Sequence, residues 1–427
     1  MSIATLEALL WVIVAATLAP IIVDIIPRVT VPVVVIELLL GIAFGPELLG
    51  LIDGGNGLSI AREFGVIFLF FLAGFEIDYL GIKGDPLRNA LRGWGWSFII
   101  AAVICFTMQQ MGLINSRFPL VAIALCTTAL GPLMPVLQDS DQLPTPFGRN
   151  SLSIGALGEF IPVLLLAFLF NDTRTELFTA FGLIVFFAVG LAILVFFQGV
   201  VGRSEESHLR RIAIQTLDSS AQFAVRLAML VLVGLVFLAA RFDLDVLLGA
   251  FASGFIIGRL GDITSNEDSR KVMEWMKTKF EAIGFGVFIP AFFIVTGANL
   301  EVGRLMESNR ALLIVPLTAI AYIVIRGFPI LVGYKTFDTA MRWRLALVAS
   351  TQLPLVSTLM ERFMDSGIVP EDVGTAIIGG SVLSVAIFPF LAFLGLEAPE
   401  GRKKQAAANG KKIVESLPEI SVQTSDR

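Results

Sequence analysis

Apolar residues in this chain gather into long uninterrupted runs, unlike the two-residue alternation of a half-buried strand or the one-sided stripe of a soluble helix. Thirteen such runs stand at about residues 5–25, 30–46, 62–79, 93–114, 118–137, 149–170, 176–199, 222–240, 244–259, 280–298, 310–333, 343–363 and 372–395. A bilayer core about 30 Å thick takes roughly 20 residues of helix, and an open strand there would leave backbone groups without partners. The pattern predicts an all-α membrane protein with thirteen transmembrane helices, called spans 1 to 13 below. Span 1 has no basic segment before it and no small-residue cleavage site after it. It is therefore expected to remain as a span, with no signal peptide removed.

Composition agrees with that class. Of 427 residues, 56% are hydrophobic and 16% charged, with a mean hydropathy of +0.83, whereas soluble domains carry about 25% charged residues. Both cysteines, Cys105 and Cys126, fall inside apolar runs and read as packing residues, not as a disulfide or a metal cluster. The single histidine, His208, sits in a charged linker. Neither a multi-histidine metal site nor a Ser-His-Asp triad can then be built within the membrane, which sets aside most hydrolases and metalloenzymes. No enzyme activity, cofactor, resident metal or nucleic-acid partner is expected.

Charge also orients the chain, because cytoplasmic loops hold the Lys and Arg excess. With the N-terminus outside, 22 of the 31 basic residues fall in cytoplasmic loops and the tail, 7 fall in outer loops, and Arg226 and Arg326 lie within helices. The expectation is a multi-pass protein of the plasma (inner) membrane, N-terminus outside and C-terminus cytoplasmic. Arg226, four residues inside span 8, reads as snorkelling to the surface.

Residues 1–396 form the transmembrane domain, and 397–427 a short polar cytoplasmic tail expected to be disordered. Its Arg402-Lys403-Lys404 suits anionic lipid. The linker at about 202–221 separates spans 1–7 from spans 8–13. The two halves share weak patterns: Phe70-x-x-x-Gly74-x-x-Ile77-Asp78 in span 3 matches Phe293-x-x-x-Gly297-x-x-Leu300-Glu301 in span 10, and Thr128-Ala-Leu-Gly131-Pro132 in span 5 matches Thr351-Gln352-Leu353-Pro354 in span 12. Both pairs are seven spans apart, an odd offset, so the copies would be inverted.

Spans 5 and 12 are interrupted at Cys126-Thr127-Thr128-Ala129-Leu130-Gly131-Pro132 and Ser350-Thr351-Gln352-Leu353-Pro354. Broken helices at matching places in two halves point to a transporter's binding site, since they present backbone carbonyls and N-termini to an ion. The plainer alternative is a proline kink satisfied by neighbouring helices.

Ionisable residues deep in a bilayer cost about 2.5 to 3.5 kcal/mol on insertion scales and need a reason to be there. Glu159 lies eleven residues into span 6, in Gly155-Ala156-Leu157-Gly158-Glu159-Phe160-Ile161-Pro162. At 1.5 Å per residue that is about 16 Å deep, near mid-membrane. Arg326, in Tyr322-Ile-Val-Ile-Arg326-Gly327-Phe328-Pro329 of span 11, cannot lose its proton and should balance negative charge in the same core. Snorkelling along a partly unwound Gly327-x-Pro329 stretch is the alternative. Glu37 in span 2, Asp24 at the end of span 1, and Glu76 and Asp78 at the cytoplasmic end of span 3 are secondary candidates, the last two as a funnel that attracts cations.

A carboxylate beside two breaks lined by Thr127, Thr128, Thr351 and Gln352 suits a small hard cation, which prefers oxygen ligands. The same carboxylate binds a proton. If it holds one or the other but not both, and must be loaded to switch faces, cation/proton exchange follows.

At these residues the chain resembles the monovalent cation:proton antiporter-2 family of the sodium/proton exchanger superfamily. The strings that carry the resemblance are Leu39-Leu40-Gly41-Ile42-Ala43-Phe44-Gly45-Pro46, Phe71-Leu72-Ala73-Gly74-Phe75-Glu76-Ile77-Asp78, Leu248-Gly249-Ala250-Phe251-x-x-Gly254 and Phe292-Phe293-x-x-Thr296-Gly297. The resemblance implies a homodimer, a dimerisation domain made of the early helices of each half, and a core with crossed broken helices that carries the ion in an elevator-like movement. It places the family's ion-binding acid at Glu159 and its basic residue at Arg326. Gly158 stands where two-acid members have Asp, and Thr127 and Thr128 replace an acid that some relatives carry in the break. One acid implies one-for-one, electroneutral exchange of Na⁺ or K⁺ for H⁺. A sodium-coupled symporter of a small organic anion, with Arg326 gripping the substrate, is the alternative. A channel would need a continuous polar stripe, and a sensor an output domain.

Overall fold

The structure, a computed structural model, describes residues 3–25, 32–52, 56–76, 84–115, 117–140, 142–143, 145–169, 182, 185–193, 195, 223–242, 244–262, 267–300, 303 and 309–394. The regular structure among them is helical. In chain order the helices are α1 (Ile3–Ile25), α2 (Val33–Phe44), α3 (Asn56–Glu76), α4 (Asp85–Gln110), α5 (Phe118–Ala124), α6 (Leu130–Asp139) and α7 (Pro146–Leu169). The second half supplies α8 (Phe223–Arg241), α9 (Val246–Asp262), α10 (Glu267–Ile283), α11 (Ile289–Ala298), α12 (Asn309–Tyr322), α13 (Phe328–Gly333), α14 (Thr339–Ser350), α15 (Pro354–Asp365) and α16 (Glu371–Phe393). Single π turns, Gly284–Phe288 and Ile323–Gly327, join α10 to α11 and α12 to α13.

Among the described residues, 7 helices are long and apolar enough to cross a membrane. Spans 5 and 12 are each split into two half-helices, α5 with α6 and α14 with α15. Span 7 lies largely outside the described residues, where 185–193 is helical; the 202–221 linker, His208, Asp78 and the tail also lie outside them. Two helix starts lie well before their apolar runs: α3 begins at Asn56 and α4 at Asp85. Hydropathy marks the part of a helix that suits lipid, while the hydrogen-bond ladder continues into polar lead-ins. The amphipathic α10 is the clearest case, a charged helix that runs straight into span 10.

The helices sort into two bundles. In the first, α1, α2, α3, α8 and α9 pack with one another and with the α10–α11 rod; in the second, α4 to α7 pack with α12 to α16. Lipid is as apolar as leucine, so bundles in a membrane cohere by close backbone approach at small residues. Two crossings show this. A Cβ on Gly41 or Gly297 would overlap the α11 or α2 backbone at Ile294 and Leu38, and one on Gly254 or Gly74 would overlap the α3 or α9 backbone at Phe71 and Phe251. The crossings correspond residue for residue: Gly297 and Ile294 face Gly41 and Leu38 as Gly74 and Phe71 face Gly254 and Phe251. The seven-span offset read from the sequence thus reappears as a repeated contact. Between the bundles lie Phe160 stacked on Phe251 at 5.2 Å, and Leu69 against Gly131.

Candidate functional site

Proline has no N–H to lose in the first turn of a helix, and Pro132 and Pro354 stand in the first turns of α6 and α15. The chain therefore restarts as helix there after an extended break. The two breaks cross and hold each other. Ala129 N donates to Thr351 O at 2.8 Å, Thr128 Oγ1 to Ala349 O at 2.8 Å, Thr127 Oγ1 to Gln352 Oε1 at 2.7 Å, and Gln352 Nε2 to Leu125 O at 2.9 Å. Neighbouring helices complete the brace: Trp94 Nε1 donates to Cys126 O at 3.1 Å, Gln352 N to Ser384 Oγ at 3.0 Å, and Thr128 N to Gly158 O at 3.2 Å. Thr351 Oγ1 turns back to Leu347 O at 3.0 Å.

This arrangement differs in part from the expectation that the breaks offer free carbonyls. An unpaired backbone group costs several kcal/mol in an apolar medium, and the carbonyls of Leu125, Cys126, Ala349 and Thr351 are taken by the donors just named. Thr127, Thr128, Thr351 and Gln352 are brought together as expected, but each is engaged in a hydrogen bond that ties the breaks.

Glu159, in α7, is 2% exposed. Its Oε1 accepts from Leu130 N at 2.8 Å, the N–H that opens α6. The positive end of a helix dipole thus faces the carboxyl group. Oε2 is buried and has no hydrogen-bond partner among the described residues.

Arg326 lies in the π turn between α12 and α13, and is 4% exposed. Such turns are frequent at functional sites. Pro329 follows inside a continuing helix, so the expected unwinding is a π turn instead. Nε and Nη2 donate to Thr128 Oγ1 at 3.1 and 2.6 Å, and Nη1 to Ser97 Oγ at 3.4 Å. The side chain is therefore held within the bundle and does not snorkel to the surface. Gly158 makes its seat possible: a Cβ there would stand 2.7 Å from Thr128 Cβ and 2.9 Å from Arg326 Nη2.

Glu37 is buried in α2, while Asp24 and Arg226 are exposed. Cys105 and Cys126 are free and buried. Among the described residues no group of three or more His, Cys, Asp or Glu side chains is placed to hold a metal ion. Ser97, Trp94, Ser384 and the N–H of Leu130 were not legible as site residues. For the first two a signal exists in the Trp94-Gly95-Trp96-Ser97 string, polar atoms set in an otherwise apolar run; the backbone donor leaves none.

Residues 13–394 match the family described as sodium/hydrogen exchanger, transmembrane. The chain belongs to that family. This exchanger is accordingly a multi-pass membrane transporter and not an enzyme. It is 23% identical over 419 residues to the putative Na⁺/H⁺ antiporter YjbQ of Bacillus subtilis, covering 93% of this chain and 65% of that protein. It is 25% identical over 379 residues to the probable Na⁺/H⁺ antiporter 3 of Methanocaldococcus jannaschii, covering 86% of this chain and 91% of the relative. The Na⁺/H⁺-K⁺ antiporter GerN of Bacillus cereus is 25% identical over 377 residues, covering 86% of this chain and 90% of the relative. In fold the exchanger is similar to the sodium proton antiporter MjNhaP1 from Methanocaldococcus jannaschii, with a TM-score of 0.62, 17% identity, and coverage of 92% of this chain and 100% of that one.

Proposed function

We propose that the chain exchanges a monovalent cation, Na⁺ or K⁺, for H⁺ by alternating access, both ions competing for Glu159. The observation that carries this reading is the geometry of that one carboxyl group: Oε1 is fixed to the head of α6, and Oε2 is buried without a partner. A carboxylate so placed is neutralised either by a proton or by a cation, and one oxygen cannot serve both. The loaded site carries the same charge with either ion, so one-for-one exchange is electroneutral. Thr127, Thr128, Thr351 and Gln352 keep the breaks in register beside it, and Arg326 sets a fixed positive charge on Thr128.

The names of the relatives support the substrate class, and that of GerN keeps K⁺ beside Na⁺. The symport alternative needs Arg326 open to a substrate carboxylate; instead it is buried against Thr128 and Ser97. The same reading expects a homodimer in the plasma (inner) membrane with the N-terminus outside.

Proteoliposomes holding a pH dye test the proposal, with Na⁺, K⁺ or Li⁺ added outside after a proton gradient is imposed. Cation-dependent proton movement is expected in the native protein, unaffected by a clamped membrane voltage, and absent in a monodisperse Glu159→Gln variant. Native rates in Glu159→Gln would remove Glu159 from the role.

A further inference from the structure

A cavity of about 510 Å³ lies on the seam between the two bundles. Thr17 and Pro20 of α1, Glu37 of α2, Phe285 of the π turn and Pro290 of α11 line it from the first bundle, and Pro132 of α6 from the second. Pro132 stands two residues beyond Leu130, whose N–H holds Glu159. The cavity therefore reaches the half-helix on which the exchange site is built.

Its position across the membrane follows from the packing. Thr5, near the start of α1, touches Gly57 at the start of α3, so those two helix starts share one face. The cavity is lined by residues 13–20 of α1 and 32–37 at the start of α2, toward the opposite face.

Glu37 is the single ionisable side chain among the lining residues. It is 4% exposed, and Oε2 has no hydrogen-bond partner among the described residues. A buried carboxylate is costly unless a positive charge meets it. Among the described residues no Lys or Arg lines this cavity, so a proton or a cation taken up from solution would neutralise the carboxylate there. The space suits the cation: a water occupies about 30 Å³, so a small cation fits with several waters still attached. A bulkier organic cation would have to meet walls that are otherwise largely proline and aliphatic.

We infer that Glu37 is a second ion-holding group, which takes up a monovalent cation or a proton in the seam cavity on its way between that membrane face and Glu159. This rests on the proposed exchange at Glu159. A carboxyl group that merely fills space would be replaced by its amide without consequence, which gives the test its resolving power.

The experiment compares native protein, Glu37→Gln, Glu37→Asp and Glu159→Gln in the same proteoliposome assay over a series of Na⁺ and K⁺ concentrations. Glu37→Gln is expected to keep exchange at saturating cation while its half-saturating concentration rises about tenfold, as loss of one charge's attraction in a partly buried setting allows. Glu37→Asp should recover most of the native value. A native half-saturating concentration in Glu37→Gln overturns the inference, and so does complete loss of exchange in that variant, which would make Glu37 part of the principal site. A second readout does not depend on transport. Glu37→Cys should react with a small cationic methanethiosulfonate from one membrane face only, more slowly at high Na⁺, over a low background because Cys105 and Cys126 are buried; absence of labelling from either face overturns the inference. If Glu159→Gln still exchanges ions, the principal reading fails instead, whatever Glu37 does.

Discussion

Glu159 and Arg326 could be found in the sequence because charge inside an apolar run demands a compensating environment. What the run could not reveal is how each is held. Oε1 of Glu159 is fixed by a backbone N–H, and Arg326 by two hydroxyls, Thr128 and Ser97. A backbone donor has no letter of its own in the sequence, and a serine in a membrane helix usually bonds to its own preceding turn, as Ser97 also does to Gly93 O at 2.9 Å. Gly158 looked like the mere loss of an acid, yet it is the surface on which Thr128 and Arg326 rest. Gly158→Ala should therefore be harmful although alanine is the better helix former. Its Cβ would lie 2.7 Å from Thr128 Cβ and Oγ1, closer than packed atoms come, and the break or the guanidinium must give way. Overpacking of this kind costs about 1 to 3 kcal/mol. A lower thermal midpoint in detergent and a clearly reduced exchange rate are expected, and a variant with native values for both would show that the seat is not tight.

Among the elements, the half-helices α5, α6, α14 and α15 were legible from Pro132, Pro354 and the threonines beside them, since proline in a first turn both ends one ladder and begins another. The π turns were not, because an extra residue in a turn changes the hydrogen-bond pattern without changing composition. The expected role of the breaks also shifted. They are tied to each other through side chains, Thr127 to Gln352 and Gln352 to Leu125 O, so that two interrupted helices behave as one braced unit. A double-mutant cycle of Thr127→Val and Gln352→Leu measures that tie. Removing either partner leaves the other buried and unsatisfied, whereas removing both leaves fewer orphaned groups. The two changes should be less than additive in unfolding free energy, with a coupling of about 1 kcal/mol. Strict additivity would mean that the contact between Thr127 and Gln352 does not tie the breaks.

At the scale of the molecule, membership of a bundle was not readable from periodicity, because a face toward lipid and a face toward another helix are equally apolar; only the family resemblance implied two assemblies. Their seam is uneven. The cavity beside Glu37 lies toward one face, and toward the other, consecutive residues of α15 in the second bundle reach two elements of the first. Glu361 meets Arg62 of α3 through paired contacts of 2.8 and 2.5 Å, and Arg362 meets Asp245 at 2.8 Å, whose other oxygen caps α9 at Leu247 N. Two-point arginine pairs of this kind fix geometry as well as charge. If exchange requires the bundles to slide past one another, these contacts must part in every cycle. An Arg62→Cys/Glu361→Cys variant joined by a cleavable thiol cross-linker should then lose exchange when bridged and regain it when the linker is cut. The unbridged variant should exchange ions throughout, and the buried Cys105 and Cys126 keep unwanted bridging low. Undiminished exchange in fully bridged protein would show that the bundles do not separate at α3 and α15, and would move the required motion to within the second bundle, around the crossed breaks themselves.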